Sequence, residues 1–211
     1  MSLRDRQFDF LFDENTTGEV VSVDCETTGF DPWVDDVISI AAIKIRGNKI
    51  LTSDTFEAVI KPDAKMTAES IKVHQLRSVD VEAGRPMDEV LPEFLRFLGP
   101  RPILGYWIDF DCRMLSKYLI NTLGIALPNQ QVEVSKIYYD RKYGHAAQNT
   151  QIDLRFAKII EDLGLRELSQ HDAFNDALTV AEMYVILKDM EKRGVYLKRQ
   201  REISEPSNAV V

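Results

Sequence analysis

The chain has 211 residues, of which 45% are hydrophobic and 28% are charged, and this suits a single domain that can bury a core. No run approaches the roughly 20 consecutive apolar residues of a membrane span, and no signal-like apolar stretch follows the charged N-terminus. A cytoplasmic protein without a membrane partner is therefore expected. The formal net charge of −8 argues against a passive binder that coats nucleic-acid phosphates, but it leaves open an enzyme that acts on nucleic acid.

Two cysteines, Cys25 and Cys112, each lie next to an acidic residue. Two thiols do not make a disulfide framework in a chain of this length. We expect both to be buried free thiols. Neither is expected to bind the metal ions that the acids would hold, because thiolates suit softer metal ions than carboxylates do.

The N-terminal half of the chain predicts three strands in antiparallel order. Residues 1–18 form an N-terminal extension with a short amphipathic helix at 3–12, and the strands follow at 19–25, 37–45 and 50–60. The Gly-Asn pair between the last two apolar runs is a hairpin signal.

The remaining elements alternate helices with single strands. In chain order they are a short helix from Thr67, a helix at 86–98 that Pro92 kinks or delays, a strand at 102–106, a helix at 111–123, a strand at 132–134, and helices at 152–163 and 173–190. Residues 138–150 are polar without periodicity and predict a surface loop, and 191–211 predict a flexible charged tail. The pattern indicates an α/β fold for residues 19–190, a mixed sheet flanked by helices.

The first apolar strand ends in two acids, Asp24 and Glu26. Side chains two apart on a strand share a face, so both carboxylates can hold one metal ion while Cys25 points into the core. The Thr-Thr-Gly sequence after them predicts a sharp turn that leaves the acids at the open end of the strand, where α/β sheets commonly bind ligands.

Two further segments supply acids and a histidine. Asp111 follows a short strand and opens a helix, whose N-terminus stabilises a carboxylate. His171 and Asp176 are five apart and cannot share a helical face. We therefore place His171 in the loop before a helix, Asp172 at its cap and Asp176 about one turn inside. A loop histidine suits proton transfer at neutral pH.

Acids from three distant segments repel one another unless cations hold them together. Hard divalent ions such as Mg²⁺ or Mn²⁺ prefer carboxylate oxygens, and pairs of them catalyse phosphodiester cleavage.

These motifs resemble those of the DEDDh-type 3′–5′ exonucleases of the RNase H-like superfamily, especially the group around the epsilon proofreading subunit of bacterial DNA polymerase III. The resemblance covers residues 19–190. The Asp-x-Glu-Thr-Thr-Gly motif is matched in full at 24–29, and the His-x-Ala-x-x-Asp-Ala motif at 171–177. It implies an RNase H-like mixed sheet, with three antiparallel strands and then parallel strands.

The second motif departs from the family pattern. Tyr106-Trp107 replaces the usual His-Asn, whereas Phe110-Asp111 keeps its place, so the metal ligand is assigned to Asp111 and not to Asp109. The departure bears on substrate preference more than on chemistry.

The resemblance implies two-metal hydrolysis that releases nucleoside 5′-monophosphates. Asp24 would bridge two divalent cations, Mg²⁺ or Mn²⁺, and His171 would act as general base. The metal ligands would be Asp24, Glu26, Asp111 and Asp176. A Glu five residues before a His is a further family match, and the implied substrate-binding residues are Thr27, Thr28, Glu69, Val73 and His74. His74 could instead cap or pack a short helix.

For several other aromatic and basic residues the sequence leaves two interpretations open. Phe30 and Trp33 could stack on bases or cover the core. The basic residues Lys136, Arg141 and Lys142 could follow a phosphate backbone or belong to a solvated loop. Asp36 and its neighbour Asp35 are interpreted as a solvated turn.

The leading hypothesis is a metal-dependent 3′–5′ exonuclease on single-stranded or mismatched DNA ends, with a DNA polymerase as a candidate partner in replication or repair. An exoribonuclease that trims RNA 3′ ends shares the same motifs, since RNA is told from DNA through its 2′-hydroxyl. The third hypothesis is a non-catalytic module that binds a polymerase through Phe8, Phe10 and Phe12 or through the charged tail.

Overall fold

A computed structural model describes residues 3–63, 81–145, 150–169 and 171–198. Five strands form one sheet in the order β3-β2-β1-β4-β5. The strands are β1 (Glu19–Thr27), β2 (Val37–Arg46), β3 (Lys49–Val59), β4 (Ile103–Gly105) and β5 (Gln131–Glu133). The described helices are a 3₁₀ helix (Arg6–Phe12), α1 (Met87–Leu98), α2 (Ile108–Leu123), α3 (Val134–Lys142), α4 (Phe156–Leu163) and α5 (Ala173–Arg193).

The sheet confirms the predicted mixed topology. β1 is antiparallel to β2, and β2 to β3, whereas β1, β4 and β5 are parallel. Arg46 pairs with Lys49 across a two-residue turn in which Gly47 has φ +62°. That is the position where a tight hairpin turn needs a positive φ, which glycine adopts without strain. The predicted helix from Thr67 lies outside the described residues.

Helices cover both faces of the sheet. On one face, α1, α2 and the 3₁₀ helix enclose Val21, Val23 and Cys25 of β1 in a hydrophobic cluster. On the other face, α3, α4 and α5 pack around Leu104 and Ile45. The central strand β1 is therefore buried on both sides, and alternate side chains along it face different helical layers.

The predicted surface loop at 138–150 is wrong over its first residues, because α3 extends to Lys142. Tyr138 is fully buried, and Lys142, one turn later, is buried in an ion pair with Asp162 of α4. A tyrosine and a lysine look polar in sequence, but their long apolar portions can be buried where a carboxylate receives the polar ends. Lys142 is thus not a surface contact for a phosphate backbone.

Several helix boundaries differ from the predicted ones. Pro92 lies inside α1 and does not delay its start at Met87. α2 begins at Ile108, three residues before the prediction, and α4 begins only at Phe156. α5 continues to Arg193, and the Leu197 N–H donates to the Arg141 carbonyl at 3.0 Å, so the chain just after residue 190 belongs to the packed structure.

The N-terminal helix packs against the domain. Phe8 is buried in the cluster under α1 and α2, and Phe10 packs against that cluster, whereas Phe12 is exposed. Phe8 is therefore not available as a surface for a polymerase, and Phe10 is available only in part. Among the residues that the structure describes, no helix has the length and apolar character to cross a membrane.

We expect Asp162→Asn to destabilise the protein by about 3–5 kcal/mol, because the buried Lys142 ammonium loses its carboxylate partner. The free energy of unfolding from urea denaturation measures this change. The matched control is Glu191→Gln, which removes the partner of Lys188 in an exposed pair and should cost less than about 1 kcal/mol. Equal small losses in both variants would contradict the structural role of the Lys142–Asp162 pair.

Candidate active site

The carboxylates of β1 lie at the end of the central strand. Asp24 and Glu26 are partly buried on the face toward α5, and Cys25 between them is buried on the opposite face, as the two-residue period predicts. The register of β1 against β2 shifts between Glu26 and Thr27. Such a bulge ends regular pairing and turns the chain away from the two acids.

Small residues let α5 approach the sheet closely. Ala173 and Ala177 of the helix pack on Ala41 of β2. The buried hydroxyl of Ser22 donates to the Ala177 carbonyl at 2.8 Å, which fixes α5 against β1 two residues before Asp24. This contact places the first turn of α5, with Asp176, next to the acids of β1.

The start of α5 has the predicted arrangement. Asp172 is the N-cap, and its Oδ1 accepts a hydrogen bond from the Asn175 N–H at 3.0 Å. His171 precedes it with φ +61°, and its backbone N–H donates to Asp176 Oδ2 at 3.0 Å. His171 and Glu26 line the same small pocket, of about 120 Å³. The histidine side chain is exposed, so it can exchange protons with solvent.

Asp111 reaches the site from the other side of β1. It lies in the first turn of α2 and is 5% exposed. Its Oδ1 accepts the Cys25 N–H at 3.0 Å. β4 ends at Gly105 and supplies no carbonyl group for the Cys25 N–H. The Asp111 carboxylate accepts this hydrogen bond in place of a neighbouring strand.

Three carboxylates form a set that fits a metal ion. Asp24, Glu26 and Asp176 each offer an oxygen, and these oxygens all lie within 4.8 Å of one another. Hard oxygen donors at this spacing suit Mg²⁺ or Mn²⁺. Asp111 is not part of this three-residue group, although its charge acts on Asp24.

Burial and mutual repulsion raise the pKa values of these acids. Burial raises the pKa of Glu26 to about 7, with further repulsion from Asp176 and Asp172. The pKa of Asp111 is raised to about 8, chiefly by burial, although the Cys25 N–H opposes the change. Burial, followed by repulsion from Asp111 and Glu26, raises the pKa of Asp24 well above its usual range. Burial also raises the pKa of Asp176. A cation would remove this repulsion.

The loop after β1 is anchored by its own hydrogen bonds. Thr28 is buried, its N–H donates to the Asp36 carbonyl at 2.8 Å, and its hydroxyl accepts the Asp36 N–H at 2.9 Å. The Thr27 hydroxyl donates to the Gly29 carbonyl at 2.7 Å. Both threonine side chains, predicted to bind substrate, therefore have partners within the loop.

Asp36 does not lie in a solvated turn. It is 9% exposed, and its Oδ1 accepts hydrogen bonds from the Lys117 ammonium at 2.5 Å and the Tyr118 hydroxyl at 2.9 Å. The prediction failed because both partners come from α2, 81 and 82 residues away in sequence.

Exposed aromatic rings lie in the loop after β1 and at the start of α2. Phe30 is 83% exposed and Trp33 is 88% exposed, which excludes the interpretation that they cover the core. Phe30 touches Phe110 of α2 at a ring-centroid distance of 6.0 Å. Trp107 is also exposed.

The structure brings together Asp24, Glu26, Asp176 and His171, with Asp111 bound to the backbone between the first two. Glu69, Val73 and His74 lie outside the described residues. Ser22, which positions α5, is a functional residue that the sequence pattern did not predict. The feature that could have indicated it is a hydroxyl side chain inside an otherwise apolar strand.

With this fold and this carboxylate site, the chain belongs to the exonuclease family. The family model described as Exonuclease matches residues 21–184, which include the whole cluster.

Relatives of this chain are named as DNA polymerase III proteins. The chain is 31% identical to the PolC-type DNA polymerase III of Thermotoga maritima over 188 residues, which are 87% of this chain and 13% of that protein. It is 26% identical to the DNA polymerase III subunit epsilon of Aquifex aeolicus, with 82% of each chain covered. The chain thus spans about an eighth of the PolC-type relatives.

Solved structures agree on the fold. Escherichia coli exonuclease I in complex with a dA16 oligonucleotide superposes with a TM-score of 0.70 at 15% identity. The match covers 83% of this chain and 42% of that one.

We expect Glu26→Gln to raise the melting temperature of the metal-free protein above pH 7. The folded-state pKa of about 7 exceeds the ordinary value of 4.5, so the folded protein holds the Glu26 proton more tightly than the unfolded chain does. As the pH rises from 4.5 to about 7, the free energy of unfolding of the wild type therefore falls. The variant has no carboxyl group at this position and does not show this decrease. Each kcal/mol regained should raise the melting temperature by about 2–4 °C.

Thermal unfolding in EDTA from pH 4 to pH 8 tests this expectation. Glu57→Gln is the control, because Glu57 lines the same pocket but is exposed. A difference between Glu26→Gln and wild type that stays constant over the whole pH range would contradict the raised pKa.

Proposed function

We propose that this protein is a metal-dependent 3′–5′ exonuclease that hydrolyses DNA from its 3′ end and releases nucleoside 5′-monophosphates. The observation that carries the proposal is the meeting of acids from three distant segments, with raised pKa values, beside an exposed histidine. A purely structural site would not bury mutually repelling carboxylates at one end of the central strand.

The carboxylates of Asp24, Glu26 and Asp176 would hold a divalent cation, and Asp111, together with Asp24, would hold a second one. When bound, such a pair supplies Lewis acidity at the scissile phosphate and at the leaving 3′ oxygen. Asp111 also fixes the backbone between the two acids of β1, because it accepts the Cys25 N–H. That contact keeps both strand carboxylates directed at one point.

His171 would act as general base and take a proton from the attacking water. Its backbone N–H binds Asp176 Oδ2, so the residue before α5 is held beside the acids while its side chain remains exposed. Thr27 and Thr28 remain proposed substrate contacts, and their hydroxyl groups also hold the loop after β1. Glu69, Val73 and His74 remain proposed contacts of the terminal nucleotide.

DNA is the preferred substrate because the relatives are named as DNA polymerase III components and exonuclease I is named in complex with an oligonucleotide. By the same likeness we propose association with a DNA polymerase. RNA is the alternative substrate, since metal-assisted hydrolysis acts on the phosphodiester group, which DNA and RNA share.

The test is digestion of matched 5′-labelled single-stranded DNA and RNA, with Mg²⁺, Mn²⁺ or EDTA. We expect a ladder that shortens from the 3′ end on DNA and is abolished by EDTA. Asp24→Ala and Asp111→Asn should each lower the rate by about 10²- to 10³-fold, the typical effect of losing one group that stabilises charge in the transition state. Asp109→Asn is the matched control, because Asp109 is exposed and paired with Arg113.

Wild-type activity in Asp24→Ala would refute the site. A faster ladder on RNA than on DNA would favour the exoribonuclease, and the absence of cleavage of either by folded, metal-loaded protein would favour the non-catalytic module.

We expect His171→Asn to lower kcat by about 10²- to 10⁴-fold, the contribution of a general base, without loss of metal binding. Asparagine is the appropriate substitution because it tolerates the positive φ of this position. Calorimetric titration with Mn²⁺ provides the second readout. A loss of Mn²⁺ affinity that matches the loss of rate would show His171 to be a ligand and not the base.

A further inference from the structure

Trp107 combines two unfavourable features at one position. Its side chain is 69% exposed, although it is large and apolar. Its backbone has φ 59° and ψ 34°, in the left-handed region that a bulky residue rarely occupies. A residue that is both strained and exposed is a candidate for a functional role, since neither feature stabilises the fold.

Helix capping does not explain why a tryptophan occupies position 107. Trp107 is the N-cap residue of α2, yet its side chain makes no capping hydrogen bond. The Ile108 N–H donates instead to Glu133 Oε2 at 3.1 Å. Asparagine or glycine would accept the positive φ at lower cost. The backbone thus favours another residue at this position.

The indole ring of Trp107 packs against a neighbouring aromatic ring. The ring of Tyr106 is stacked beside the indole, with 6.0 Å between ring centroids and 8° between ring planes. Tyr106 is itself fixed, because its hydroxyl donates to the Leu154 carbonyl at 3.0 Å and its ring packs on Phe156. The two rings form an aromatic pair that is anchored on its Tyr106 side and open to solvent on its Trp107 side.

The aromatic pair lies at the same edge of the sheet as the carboxylates. It follows the end of β4, the parallel neighbour of β1, and Asp111 is one turn further along α2. The side chain of Asp111 reaches the backbone between Asp24 and Glu26. A strand with its 3′ end at these acids would pass close to the indole.

We propose that Trp107 stacks on a nucleobase of the substrate strand and is a binding residue for that strand outside the carboxylate cluster. This inference rests on the proposed function. Stacking on an aromatic side chain tolerates every base, since each has a π face. An unpaired base can present that face, whereas a base inside a duplex is covered by its neighbours.

Fluorescence gives a direct test, because Trp33 and Trp107 are the two tryptophans of the chain. The Trp33→Phe variant, with Ca²⁺ in place of Mg²⁺ to suppress cleavage, is titrated with a (dT)₁₂ oligonucleotide. We expect the emission of Trp107 to be quenched on binding. Binding detected by anisotropy of a labelled oligonucleotide, without any change in this emission, would overturn the inference.

Kinetics separate stacking from a structural role. Trp107→Asn should raise KM for single-stranded DNA by about 5- to 100-fold, the effect of losing one stacked base. Its kcat should stay within about threefold of wild type, and its melting temperature should be equal or higher, since the backbone strain is relieved. Trp107→Phe should retain most of the wild-type affinity. An unchanged KM in Trp107→Asn, or a loss that follows unfolding, would overturn the inference.

A double-mutant cycle locates the stacked base. Oligonucleotides carry one abasic site at successive positions from the 3′ end. We expect one position at which the abasic site weakens binding to wild type but not to Trp107→Asn. If every abasic site has the same effect on both proteins while wild type still digests DNA, the stacking inference fails and the proposed function stands. If wild type digests no oligonucleotide, both fail.

Discussion

The burial of several acids at one end of the central strand is the constraint that organises this protein. Their pKa values are raised because burial and mutual repulsion both disfavour the charged forms. The rest of the fold must hold these groups together against that cost. Without a cation this cost is borne by the fold alone, and a cation bound between the carboxylates would reduce it.

Three contacts meet this constraint. The position of β1 in the middle of the sheet fixes Asp24 and Glu26 on one face. Ser22 binds the α5 backbone, and alanines at the interface let that helix come close enough for Asp176 to join them. Asp111 replaces a missing strand partner of Cys25. Each contact joins segments that are far apart in sequence.

Backbone strain lies beside the same site. Within the described residues, Trp107 and His171 are the two non-glycine residues with positive φ. Each stands just before a helix whose first turn carries an acid of the site, Asp111 or Asp176. Positions of this kind persist where the surrounding structure over-determines them, and they cluster at functional sites. In both cases a backbone conformation that costs stability lies next to a helix turn that carries an acid of the site.

The sequence alone determined the mixed sheet, the shared face of Asp24 and Glu26, and the placement of His171, Asp172 and Asp176 around a helix start. These features depend on local periodicity and capping, which neighbouring residues define. The burial of Asp36, the helix around Tyr138 and Lys142, and the role of Ser22 in positioning α5 became visible only in the folded chain. Their partners, Lys117, Asp162 and Ala177, are 20 to 155 residues away. A polar residue looks the same in sequence whether water or a distant side chain satisfies it, so burial with a partner cannot be read from local pattern.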